Sequence, residues 1–150
     1  MLDITLLTLV LQSRLPYLPP PRFQHFATAI ALESPTLDTA AALVVNLERE
    51  THGSWAAERC VISGLGGWGS WGVASIWERW YPGGTCGTIE RQAHAAARVW
   101  LVGWNHEGGN VRRSFGRYIG ATAVGRHPEA RLRARIWYSV RASLECACSI

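Results

Sequence analysis

Apolar residues recur at helical spacing along most of this chain. In the segment ending at Thr51, residues Leu37, Ala40, Ala41, Val44 and Leu47 share one face of a 3.6-residue period, and Pro35 with Thr36 or Asp38 supplies the break and the cap before it. An earlier apolar patch, Ile4 to Leu11, predicts a helix over residues 3–14 that packs on the body or on a partner. Leu15-Pro16-Tyr17-Leu18-Pro19-Pro20-Pro21 reads as a stiff, extended connector, and a second helix is predicted from Arg22 to about Glu33. Residues 52–72 are glycine-rich and irregular, with room for a small β-hairpin after Glu50. Val73 to Trp80 has a helical pattern that Pro82-Gly83-Gly84 ends. Thr88 caps a long helix to about Trp104, with Glu90 where the helix dipole favours a negative charge. Gly108-Gly109 breaks it, Asn110 starts a shorter helix to Tyr118, and Pro128 opens a last one to about Leu144. The pattern predicts a mainly α (α+β) fold, with a helix and Pro-rich connector over residues 1–21 and the main domain over 22–150.

A chain of 150 residues buries roughly 70% of its unfolded surface, enough for one core. Its 48% hydrophobic content and eight Trp exclude a disordered chain. The N-terminal patch lacks a basic flank and a small-x-small cleavage site, so it does not read as a signal peptide, and no apolar run has the length of a membrane span.

The net charge is +4, and all fifteen basic residues are Arg. Arg126, Arg131, Arg133, Arg135 and Arg141 gather in the last helical segment. Ile136, Trp137 and Val140 intervene there, so core packing competes and nucleic acid is not expected as a partner. Cys60 and Cys86 bracket the glycine-rich loop and are placed to staple it, whereas Cys146 and Cys148 are too close in sequence to bond each other readily. His94, His106 and His127 form no metal-ligand spacing, and no phosphate-binding glycine motif is present. No metal or cofactor is expected.

Three blocks resemble one family. Glu48-Arg49-Glu50-Thr51 after Leu43-Val44-Val45 is similar to an apolar helix ending in Glu-Ser. Gly69-Ser70-Trp71-Gly72-Val73-Ala74-Ser75-Ile76 is similar to Gly-Ala-x-Gly-Leu-x-Gln-Ile. Gly108-Gly109-Asn110-Val111 leading to Tyr118-Ile119-Gly120 is similar to a short helix before Tyr-Asn-x-Gly, with Trp104-Asn105 as a rival register for that pair. In this order, residues 36–144 resemble the lysozyme-like domain of soluble lytic transglycosylases and related phage muralytic enzymes. Ser75 and Ile119 depart from the pattern, standing where that family usually has Gln and Asn.

The resemblance implies cleavage of peptidoglycan glycan strands with Glu50 as catalytic acid and base. Such chemistry needs a carboxylic acid that is protonated near neutral pH, and burial against apolar walls favours the uncharged form of a carboxyl. Glu48 is the alternative acid on another face of the same helix. No Asp follows Asp38, and Glu58 is the nearest loop carboxylate. A missing second carboxylate suits the transglycosylase route, in which the same Glu serves as acid and then as base while the muramyl 6-hydroxyl closes an anhydro ring. Substrate contacts are expected from Ser70, Gly72, Ser75 and Tyr118, with Trp71 and Trp68 as stacking platforms and His52 beside the acid. Hydrolysis of the same bond, and a catalytically silent glycan-binding or structural module that docks to phage or cell-envelope proteins through its N-terminal helix, remain alternatives. Location in a phage virion, or in the bacterial envelope or outside the cell, follows from the same resemblance.

Overall fold

The computed structural model describes residues 2–51, 69–120 and 127–146. The protein is mainly helical, with helices α1 (Ile4–Arg14), α2 (Pro20–Glu33), α3 (Leu37–Thr51), α4 (Ile89–His106), α5 (Val111–Tyr118) and α6 (Pro128–Cys146). The β-hairpin expected after Glu50 falls in residues 52–68, outside those described.

Local chemistry sets the ends of these helices. The Asp3 carboxylate accepts from the Thr5 and Leu6 amides at 2.9 and 3.2 Å and caps α1. Thr88 caps α4 through the Arg91 amide, and the Asn110 side chain caps α5 through the Arg113 amide. His127 Nδ1 accepts from the Glu129 amide at 3.1 Å where α6 begins. Helix α2 begins two residues earlier than its pattern predicted, because Pro20 and Pro21 occupy first-turn positions, where a missing amide hydrogen costs nothing. The connector is correspondingly short, and Leu15 and Leu18 are buried within it.

The core is built around α3. Every residue from Thr39 to Leu47 is buried, not merely one stripe, so α3 runs through the middle of the molecule with α6, α4 and α2 against it. Ala40, Ala41 and Ala42 let those neighbours approach closely, while Leu43, Val44, Val45 and Leu47 supply apolar area worth about 1.5–3 kcal/mol for each large side chain fully buried. Helix α1 packs on α2 and α6, and Arg14 makes a paired contact with Glu48 of α3. The first helix and its connector therefore share the core of the rest.

The helix expected over Val73 to Trp80 is reduced to a 3-10 helix, Ser75–Arg79, in which no residue is buried. Ile76 and Trp80 are 76% and 65% exposed, and only Trp77 of the segment leans on the core, so the apolar spacing there is mostly left uncovered. Among the described residues no helix is long and apolar enough to cross a membrane.

Candidate active site

Asn46 and Glu50 lie four residues apart on α3, on the face turned toward α6. Opposite them stands Arg133, which has no exposed surface. Its guanidinium donates through Nη2 to Glu50 Oε1 at 2.9 Å, through Nη1 to Asn46 Oδ1 at 2.8 Å, and through Nε to Glu129 Oε1 at 3.0 Å. Arg49 closes the network with two bonds to Glu129, at 2.8 and 3.1 Å. Two carboxylates thus meet two guanidiniums in a balanced cluster. Balance matters, because an unpaired ion in this setting costs several kcal/mol. Burial opposes ionisation of Glu129, but the hydrogen bonds from Arg49 and Arg133 outweigh it and hold the carboxyl down at about 2.

Glu50 itself is 4% exposed. With Oε1 held by Arg133, its second oxygen, Oε2, is buried and has no hydrogen-bond partner among the described residues. Oε2 faces the backbone at Gly72. A β-carbon at residue 72 would lie 2.2 Å from Oε2, and the φ of +61° there independently favours glycine. The close approach of carboxyl and backbone accounts for this glycine on both grounds.

The Gly69–Val73 segment is held from three helices. Gln92 of α4 accepts from the Ser70 amide at 2.9 Å and donates to Gly87 O at 2.7 Å. The Trp71 indole donates to Leu43 O of α3 at 2.9 Å, and its ring meets Phe26 edge-on at 5.4 Å between centroids. The Tyr118 hydroxyl, at the end of α5, donates to Trp71 O at 2.7 Å. Burial, and secondarily the Glu50 charge, push ionisation of Tyr118 far above the usual phenol range, so its hydroxyl stays a donor. Glu50, Gly72 and Tyr118 are therefore neighbours, fixed by bonds from α3, α4, α5 and α6.

Other expected site residues are placed differently. Trp71 is 1% exposed and anchors the loop to α3, so it presents no face to a sugar, and the expectation of a stacking platform is corrected. Ser70 is fully buried, with Oγ unpartnered among the described residues. Ser75 is exposed at the start of the 3-10 helix. Glu48 turns away from the site toward Arg14. In the rival register Asn105 is exposed, while Tyr118 reaches the loop. His52, Glu58 and Trp68 lie outside the described residues. His94 pairs with Glu33 and His25 with Glu90, and among the described residues no cluster of His, Cys, Asp or Glu suits a metal. Cys86 is disulfide-bonded, and its expected partner Cys60 lies outside the described residues.

Sequence reasoning missed Arg133, Glu129 and Asn46. A signal existed for Arg133. Ala130, Arg133, Trp137, Val140 and Leu144 follow the spacing of a buried stripe, and an Arg in such a stripe demands buried counter-charge.

No family model, no curated protein and no solved structure matches the chain.

Proposed function

We propose that this chain is a lysozyme-like enzyme that cleaves peptidoglycan glycan strands with Glu50 as its single general acid and base. The observation that carries the reading is the division of labour at one carboxyl, with Oε1 fixed by Arg133 and Oε2 buried, unbonded among the described residues and set against Gly72. The pair with Arg133 counts Glu50 as a carboxylate at rest, so the acid step requires Oε2 to take up a proton first. Oε2 would protonate the glycosidic oxygen as the bond to the muramyl C1 breaks. It would then take the proton from the muramyl 6-hydroxyl as that oxygen attacks C1 and closes the anhydro ring. Tyr118 spends its one O–H on Trp71 O, so it would hold the loop at Gly72 and could meet a substrate acetamido N–H only as an acceptor.

The route needs no second carboxylate. Glu129, which joins Glu50 through Arg133, is committed to Arg49 and Arg133 and is not available as nucleophile or base. Exposed Ser75 is the remaining candidate for a sugar contact. A cell-wall substrate suits a phage virion or cell-envelope setting, with other assembly proteins as partners. Mass spectrometry of products from purified peptidoglycan tests the reaction. Anhydro-muramyl ends support it, and reducing ends assign hydrolysis.

A second reading is a non-catalytic module of the same shape. The balanced cluster of Glu50, Arg133, Glu129 and Arg49 favours it, because it also serves as a tie between α3 and α6, and Ser75 and Ile119 replace polar groups of the family pattern. Glycan pull-down without product formation would support that reading.

A further inference from the structure

Helices α5 and α6 enclose a groove of about 510 Å³ lined by Gly109, Asn110, Val111, Arg112, Arg131, Ala134, Arg135 and Tyr138. It lies away from Glu50. Arg133 faces α3, whereas Arg131 and Arg135, two residues to either side, are about 200° around the helix from it. Tyr118 is at the opposite end of α5 from Arg112.

Among the described residues the charge here is uncompensated. Every other arginine of α5 and α6 is ion-paired: Arg113 and Arg117 with Glu107, Arg133 with Glu50 and Glu129, and Arg141 with Asp38 and Glu145. Arg112, Arg131 and Arg135 are exposed, and their side chains have no ionic or hydrogen-bond partner among the described residues. Three guanidiniums thus converge on one concavity, each able to make paired hydrogen bonds to a phosphate. Between them the lining is largely apolar. Ala134 and Val111 form the floor, and Tyr138 is 63% exposed. The Tyr138 ring is braced edge-on against buried Trp137, with centroids 5.0 Å apart, so it is a fixed platform. Of the residues that argued against a binding face in the sequence, Trp137 and Val140 are buried and Ile136 is partly buried against the core, while Arg131, Arg135 and Tyr138 share the outer face.

We propose that this groove binds single-stranded nucleic acid, with successive phosphates on Arg112, Arg131 and Arg135 and a base stacked on Tyr138. A row of cations beside an exposed aromatic ring fits a chain that alternates phosphates with flat, unpaired bases. An acidic peptide offers the charge without the faces, and a duplex keeps its faces inside. The proposal is independent of the role assigned to Glu50.

The test is fluorescence anisotropy of the whole chain with a labelled oligothymidylate of about 12 nucleotides over a series of salt concentrations. Polyglutamate and a duplex of equal length serve as competitors. The wild type is expected to bind with a negative salt slope. Arg131→Gln with Arg135→Gln is expected to flatten that slope by about 1.4, since each phosphate contact on a single strand contributes about 0.7. Tyr138→Ala is expected to weaken binding roughly 5- to 100-fold with the slope unchanged. Arg131 and Arg135 are exposed and unpaired among the described residues, so their double variant is expected to keep the wild-type melting curve, and Tyr138→Ala, which loses only the edge contact with Trp137, is expected to stay folded. Absence of binding at low salt, unchanged binding by the variants, or equal competition by polyglutamate or duplex would overturn the proposal.

Discussion

Arg133 donates to one oxygen of Glu50 and leaves the other pressed against the backbone of Gly72. This relationship unites fold and candidate chemistry, because the guanidinium that locks α6 onto α3 is also the group that orients the carboxyl.

Removing one member of that pair is expected to be costly. Arg133→Met leaves Glu50 buried without its counter-ion, with an expected loss of about 3–5 kcal/mol in urea unfolding. Combining it with Glu50→Leu is expected to recover a large part of that loss, since two apolar side chains need no partner. A double variant no more stable than Arg133→Met would show that the two residues are not coupled.

The packing of Glu50 on Gly72 can be probed by contrast with another glycine. Gly108 has φ +60° and nothing within 4 Å of an added β-carbon, so Gly108→Ala carries only the backbone penalty, about 1–2 kcal/mol. Gly72→Ala has the same backbone penalty and a clash with Oε2 besides, and is expected to be clearly the more destabilising of the two in thermal melts. Equal losses would remove the carboxyl from that position.

Glu129 predicts an acid dependence. Its carboxyl titrates at about 2 in the folded protein, below the unfolded value near 4.5. The stabilisation is therefore complete above about pH 4.5 and is lost as the pH falls toward 2, by on the order of 1–2 kcal/mol after allowance for partial exposure. Glu129→Gln is expected to flatten urea stability across that window. A wild type and variant with parallel pH curves would contradict the assignment.

Tyr118→Phe deletes the bond to Trp71 O and leaves a buried carbonyl without that donor. A loss of about 1–3 kcal/mol is expected in unfolding, with slower wall clearing. Wild-type stability in the variant would mean that Tyr118 does not hold the loop.

Much of the helical frame was legible because its boundaries carry chemistry that acts within a few residues. Asp3, Thr88, Asn110 and Pro128 start helices where their side chains or missing amide dictate. Ser75–Arg79 was over-read, because periodicity describes an apolar face but not whether a neighbour exists to cover it. Trp71 was misplaced for a related reason: an indole in a glycine-rich loop suits a sugar platform and a core anchor equally, and the Leu43 carbonyl decides between them only in three dimensions. Glu50 could be singled out, but its partner Arg133 is 83 residues away and is one of several arginines in the last helical segment. Long-range pairing of this kind leaves only the buried-stripe spacing as its trace.

The most direct measurement is clearing of purified peptidoglycan by the wild type and by Glu50→Gln, with thermal melts to confirm that both are folded. Glutamine keeps the shape and an oxygen for Arg133 but cannot pass a proton. Turbidity loss is expected with the wild type, and none above background with a folded Glu50→Gln. Equal clearing by the two proteins, or no clearing by a folded wild type, would contradict it.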